Sequence, residues 1–330
     1  MGGEVMSNTD ITSTEHWHTL RAAHVGSSDI ACLLGVSKRK SRFSLWHEKR
    51  GTLPQLNIDD ISHVRNGKYF EPAIASIGAE SFGCQIRKVH RYIECDDCPA
   101  LGVSMDYEEV STGMPPVEIK WSVFGNGWEW DGLTVTEAPD EYLIQVQAQL
   151  ACNPRAPYAR LWGFIHGEVR QMIVEPRPAI IDAVKAAASE FMQSVRDGVE
   201  PPVDFEMDGD ALSRMAFNRP LVSVDWSADA EAADLVKAYL DASAEVKKVE
   251  TQKESAKNAL LKRLIDAAAS AEKDDAKIIA TTAAGKISIA TVAANPGTVI
   301  TEEMLGNVIG AKKGYRRMTV KELKETPNAP

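Results

Sequence analysis

VEIKW, residues 117–121, follows a Gly-Met-Pro-Pro turn and sets an acid and a base two positions apart with an apolar residue between them. In an extended chain side chains alternate, so Glu118 and Lys120 share one face while Val117, Ile119 and Trp121 share the other. Alone, the pattern describes a half-buried strand with a solvated outer face. Upstream, LGVSMDYEEV carries an apolar run to Asp106, and eleven residues separate Asp106 from Glu118. Two short strands joined by the turn VSTGMPP would form a hairpin and bring the two acids to neighbouring strand ends. Two carboxylates and a lysine then converge. Oxygen ligands suit a hard divalent cation, and a phosphodiester yields to water once its oxygens are neutralised and the water is activated. In that chemistry Asp106 and Glu118 hold the metal, the Ile119 carbonyl adds a ligand, and Lys120 positions or deprotonates the water.

The composition frames this reading. A chain of 330 residues, 44% hydrophobic and 25% charged, can bury a core and suits a water-soluble globular protein of one large domain or two. No run approaches the roughly eighteen apolar residues of a membrane span, and MGGEVMSNTDITSTEH lacks the basic start and apolar stretch of a signal peptide. Five cysteines without regular spacing argue against a disulfide scaffold, so a cytoplasmic setting is expected. A net charge of -10 argues against a general nucleic-acid coat but leaves room for a local basic channel.

Residues 1–14 are polar and without periodicity, and read as a disordered lead. From 15 to 210 helical patterns alternate with β-rich runs such as IRKVHRYIEC and YARLWGFIHGEVRQMIVE, which predicts an α/β (α+β) core. Its last helix runs from about Ala179 to Val199 and ends at DGVEPPVD. Residues 211–228, with FNRPLVSVDW, read as a linker. Beyond it, 229–330 opens on about forty residues rich in Ala, Lys, Glu and Asp without Pro or Gly, which predicts a helical hairpin or coiled-coil arm. KIIATTAAGKISIATV and GYRRMTV then read as a small β-type tail.

Other segments carry chemistry of their own. In VGSSDIACLLG, Ser27 or Ser28 is a good helix N-cap and Asp29 suits the first turn. Such an N-terminus is also an anion site, and Arg21 lies just upstream. Glu71 precedes Pro72 at what reads as the opening of an alanine-rich helix. In YLIQVQAQL, Leu143, Val146 and Leu150 form a buried stripe. Gln145 and Gln147 are about 200° apart on a helix and cannot serve the same site; Gln145 shares its face with Gln149. Cys84, His90, Cys95 and Cys98 lie within fifteen residues, but CDDC is the single tight pair, whereas structural zinc sites usually show two.

Asp106 followed by Glu118-Ile119-Lys120 resembles the core of the PD-(D/E)-x-K nucleases. Over residues 15 to about 205 the chain is similar to the YqaJ-type viral recombinases related to lambda exonuclease. Four segments in order carry the likeness: HVGSSDIACLLGVSKRKSRFSLWHEKRG, NGKYFEPAIASIGAESFGCQI, the Asp106 to Lys120 stretch, and EYLIQVQAQLAC. Met105 stands where the family has proline, and its usual Asp-Gly reads Asp106-Tyr107. The resemblance implies a restriction-endonuclease-like core, a central mixed sheet flanked by helices. It implies Glu71, Asp106, Glu118 and the Ile119 carbonyl around magnesium or manganese, with Lys120 catalytic and fixed from Gln145, and Gln147 in reserve. Arg21, Ser28 and Ser104 would hold the 5′-phosphate of a DNA end. It implies 5′-to-3′ digestion of double-stranded DNA to a 3′ overhang, a single-strand annealing protein as partner, and a ring-shaped trimer. Arg39, Lys40, Arg42 and Lys68 are then expected to face DNA. A structure- or site-specific endonuclease and a non-catalytic DNA-end binding protein are the alternatives.

Overall fold

The computed structural model describes residues 8–10, 13–53, 62–217, 225–268, 277–282, 285–292 and 315–322. The chain divides into two compact units, Met1–Leu221 and Val222–Pro330.

The first unit runs β1 (Asn8–Asp10), α1 (Thr14–Ala23), α2 (Ile30–Leu33), α3 (Arg42–Arg50), α4 (Ser62–Ser81), β2 (Ile86–Lys88), β3 (Arg91–Cys95), β4 (Cys98–Ser104), β5 (Tyr107–Glu109), β6 (Pro116–Trp121), β7 (Glu129–Asp131), β8 (Thr134–Glu137), α5 (Asp140–Cys152), β9 (Ala159–Ile165), β10 (Glu168–Val174), α6 (Pro178–Asp197) and α7 (Gly209–Phe217). A mixed seven-stranded sheet has the order β2-β5-β6-β9-β10-β8-β7, and a smaller sheet the order β1-β3-β4. This is the mixed α/β architecture expected, a central sheet flanked by helices.

VEIKW lies inside the large sheet. It pairs antiparallel with β5 (Tyr107 opposite Val117) and parallel with β9 (Ile119 opposite Trp162). Val117 and Ile119 pack with Trp162 against Ile74 and Ala75 of α4. On the opposite face of the sheet, Leu161 of β9 packs with Val146 and Leu150 of α5. The strand is therefore covered on both sides, and Glu118 is 3% exposed. The solvated outer face suggested by the sequence alone is absent, because α5 lies over it.

Several expectations are corrected. Asn8–Asp10 of the polar lead forms an edge strand on β3; backbone pairing needs no apolar side chain. The apolar run before Asp106 is β4, which belongs to the small sheet, and β5, following Asp106, is the hairpin partner of β6, so Asp106 sits where the chain crosses between sheets. The helix carrying Glu71 begins at Ser62, so Pro72 lies inside it and Glu71 has no helix N-terminus to stabilise it. Asp29, not a serine, occupies the N-cap of the single-turn α2, and its side chain caps nothing. The expected linker begins inside α7, and its centre, 218–224, lies outside the described residues.

α6 repeats buried residues at Val184, Ala188, Phe191, Met192 and Val195, the spacing of one helix face, and ends at Gly198 in the left-handed conformation. In the second unit α8 (Ala230–Ala268) is one continuous helix of 39 residues, so the hairpin does not form: no Pro or Gly interrupts it. β11 (Lys277–Thr281), β12 (Gly285–Val292) and β13 (Tyr315–Glu322) make an antiparallel sheet. Among the described residues no helix is long and apolar enough to cross a membrane.

The seat of α4 on the sheet depends on Gly78, where an added Cβ would come within 2.4 Å of the Trp162 ring. Gly78→Ala should destabilise the protein by about 2 kcal/mol in urea denaturation through overpacking. Gly67→Ala in the same helix, with open space around it, should be neutral or slightly stabilising.

Candidate active site

Glu118 projects from the middle of β6 toward α5, where it would be a stranded charge without partners. Lys120 Nζ donates to its Oε1 at 2.7 Å, Gln145 Nε2 to the same oxygen at 2.7 Å, and Gln149 Nε2 to Oε2 at 2.5 Å. Lys120 also donates to Gln145 Oε1 at 2.8 Å, closing a ring of three side chains. Its ammonium lies 4.8 Å from the centre of the Tyr142 ring. Burial works to strip the Lys120 proton, but the Glu118 and Asp106 carboxylates outweigh it and hold the group above the ordinary lysine value. Lys120 is thus a charged donor here, not a free base.

Asp106 reaches this group from the crossover between sheets. Its Oδ2 accepts the Ile119 backbone N–H at 3.0 Å. Burial, then the like charge of Glu118 and, further down, Glu71, push its carboxyl well above the usual range; Lys120 opposes them. Glu71 lies within electrostatic range, but its Oε1 accepts from Lys88 Nζ at 2.9 Å. Gln147 faces the opposite way: its amide bonds the Glu175 carbonyl and the Arg177 N–H. The fold therefore gathers Asp106, Glu118, Lys120 and Gln145, with Glu71 at the margin.

Among the described residues no three His, Cys, Asp or Glu side chains gather closely enough to cage an ion. The donors nonetheless suit a hard divalent cation. They are carboxylate and carbonyl oxygens, and Asp106 has no ion-pair partner among the described residues while like charges press on it. The four cysteine and histidine candidates for a second metal do not converge. Cys95 and Cys98 face each other across the β3–β4 hairpin, with their thiols on the Ala151 and Lys185 carbonyls. Cys84 packs beneath the α4 side of the sheet and His90 is exposed.

A second polar centre surrounds Asp29. Val25 bonds the backbone of Ala100 and Gly102, fixing the Gly-Ser-Ser-Asp turn beside β4. Arg21 Nη2 donates to Asp29 Oδ2 at 3.1 Å and to Ser28 Oγ at 3.3 Å, Lys40 Nζ lies 3.3 Å from Asp29 Oδ1, and Lys49 Nζ 3.6 Å from Oδ2. Ser104, at the end of β4, shares no hydrogen bond with Arg21 or Ser28. Burial would raise the Asp29 carboxyl, yet Lys40, Arg21 and Lys49 together hold it far below the usual range. Arg39 and Arg42, expected to face DNA, pair with Glu141 and Glu190, and Lys40 with Glu48 as well as Asp29.

Sequence reasoning placed Gln149 on the face of Gln145 but gave it no role, and it touches Glu118; two further contributors were missed. Lys88 on Glu71 and Lys49 on Asp29 had no signal in the sequence, since both contacts are tertiary.

Residues 16–156 match the family model of the YqaJ-like viral recombinase domain. The resemblance carried by the four motifs therefore holds for the segment that contains Arg21, Glu71, Asp106, Glu118, Lys120 and Gln145. The uncharacterized protein YqaJ of Bacillus subtilis (strain 168) is 27% identical over 214 residues, 61% of this chain, and the chain spans 62% of that relative's length. The crystal structure of an alkaline exonuclease, LHK-Exo, from Laribacter hongkongensis is similar at a TM-score of 0.43 and 18% identity, over 57% of this chain and 95% of that one. LHK-Exo in complex with dAMP gives a TM-score of 0.43 at 19% identity, over 61% and 99%.

Two stability predictions follow from the charges. Asp106→Asn relieves like-charge repulsion while keeping an oxygen for the Ile119 N–H, so it should stabilise the metal-free protein by about 1 kcal/mol in thermal denaturation. Asp29→Asn should cost about 3 kcal/mol or more by leaving three cations without their anion. Because the Asp29 carboxyl is depressed on folding, its contribution is full at neutral pH and fades as pH falls below the ordinary aspartate range. The Tm gap between Asp29→Asn and the parent should narrow in acid.

Proposed function

We propose that this protein is a divalent-cation-dependent deoxyribonuclease that digests double-stranded DNA from its ends. The observation that carries the reading is the closed contact of Glu118, Lys120 and Gln145 beside Asp106 on a doubly buried strand, inside the segment matching the YqaJ-like viral recombinase domain. Acids, an ammonium and an amide anchored on rigid elements are what phosphodiester hydrolysis asks of a protein.

Magnesium, with manganese able to stand in, would be held by Glu71, Asp106, Glu118 and the Ile119 carbonyl. When bound, it would supply charge neutralisation at the phosphate and a more acidic water. The chain's own part is positioning. Gln145 Oε1 accepts from Lys120 Nζ and fixes its position, and Lys120 presents its charge to a phosphate oxygen or to the attacking water. Gln149 and Gln145 keep Glu118 from turning, and the Ile119 N–H fixes Asp106. Arg21, steadied by Asp29, and Ser28 would receive the 5′-phosphate of the end, with Ser104 reaching it from β4. Digestion from 5′ to 3′ leaving a 3′ overhang, an annealing-protein partner, a trimeric ring and a cytoplasmic setting belong to the same proposal and rest on the family resemblance.

With magnesium the full chain should degrade linear duplex DNA and spare closed circles. Asp106→Ala, Glu118→Ala and Lys120→Ala should each lower turnover at least about 100-fold. Cleavage of closed circles would make the enzyme an endonuclease, and full activity in any variant would remove that residue from the reaction. A 5′-hydroxyl end should be digested more slowly than a 5′-phosphate end; equal rates would reject the role of Arg21 and Ser28.

A further inference from the structure

In α8, the long helix of the second unit, apolar residues return with a seven-residue period. Leu235, Tyr239, Ala242, Val246 and Val249 follow one another by four, three, four and three, and Lys253, Ala256 and Leu260 continue the rhythm. A strict seven-residue repeat is the seam of a left-handed coiled coil, and from Ala232 to Ala256 it lasts between three and four heptads. The seam is bare. Tyr239 is 73% exposed and Val249 52%, with Leu235 and Val246 between these values. At the C-terminal end the helix is covered by its own unit: Leu264 is buried, and Leu260, Leu261 and Ala280 of β11 pack against it. A partner can therefore follow the seam to about Ala256, where the protein's own sheet takes over.

Charge decides which partner fits. Residues 230–246 carry four acids, Glu231, Asp234, Asp241 and Glu245, against one base, Lys237; residues 247–268 carry six bases against three acids. The helix dipole favours this order of charge but acts within the first and last turns, whereas Asp241, Glu245, Lys247 and Lys248 stand mid-helix. Exposed ion pairs within the helix, Lys248 with Glu245 at 3.5 Å and Lys257 with Glu254 at 2.8 Å, leave the difference between the halves in place. A helix whose halves have opposite sign is complementary to itself turned end for end. Lys253 makes the same choice. In a parallel pair its ammonium would meet its own copy inside the apolar seam, a like-charge contact that is costly there. Turned end for end over 232–256, Lys253 falls level with Leu235 of the second copy, beside Asp234 and within about a turn of Glu231. In that register Tyr239 meets Val249, and Ala242 meets Val246.

We propose that α8 pairs with α8 of a second copy of this chain as a two-fold, antiparallel coiled coil. Each copy offers the same surface, as a two-fold contact requires. The pairing lies outside residues 16–156 and does not depend on the nuclease reading. It joins two molecules through their second units, whatever assembly the first units make.

The test uses the full chain in two forms, one tagged and carrying Leu235→Cys, the other untagged and carrying Lys253→Cys, mixed under mild oxidation, with the parent protein and its five native cysteines as background. The expected product is a disulfide between the two forms, absent when either is oxidised alone. Disulfides joining like with like would show a parallel pair and overturn the proposal, as would the absence of any cross-link above background. In sedimentation equilibrium, Val246→Glu should weaken self-association at least about ten-fold by setting a charge in the seam, while Val246→Leu keeps it. Circular dichroism should show the helix intact in both, since Val246 is exposed within one chain. Self-association indifferent to Val246→Glu would give the seam to another partner or to the rest of its own chain, and overturn the pairing. Digestion of linear duplex by the parent protein reads the nuclease proposal separately, so either can fail alone.

Discussion

Burying the carboxylate of Glu118 is the constraint around which the rest of the first unit is arranged. A charge at 3% exposure on a central strand costs several kcal/mol unless its oxygens are occupied. Here three donors occupy them: Lys120 from the same strand, and Gln145 and Gln149 from α5. This requires α5 to lie directly over β6 with one polar face turned inward. Val146 and Leu150, on the same helix, hold it there by packing on Leu161. A hydrophobic residue in place of Glu118 would need none of this.

Asp106 shows the same tension without its resolution. It is drawn to the group by the Ile119 N–H, yet burial and the like charges of Glu118 and Glu71 outweigh the opposing charge of Lys120, and among the described residues it has no ion-pair partner. Asp29, also buried, is the contrasting case, since three cations compensate it and it lends the fold stability. One carboxylate thus serves as a structural anchor that steadies Arg21. The other is held at a cost, with burial and like charges pressing on it.

The sequence carried the main parts of this arrangement. Alternation placed Glu118 and Lys120 on one face of VEIKW, and helical spacing separated Gln145 from Gln147; both properties are local and survive in the fold. Where the reading failed, the cause was a tertiary choice. The apolar run before Asp106 pairs with β3 rather than β6, and nothing in its composition distinguishes the two partners. Pro72 suggested a helix start, but the residues from Ser62 onward continue the helix through it. The Lys88–Glu71 and Lys49–Asp29 contacts join residues on separate elements, which no periodicity links. The second unit's 39-residue helix shows that absence of Pro and Gly predicts length well and turns poorly.

If the acids at the crossover are kept for a cation, calorimetric titration of manganese into the metal-free full chain is the most direct measurement. The account predicts saturable binding that Asp106→Asn and Glu118→Gln each weaken at least about ten-fold, while Gln147→Ala, on the far side of α5, leaves it unchanged. Absence of binding, or binding indifferent to Asp106 and Glu118, would contradict it.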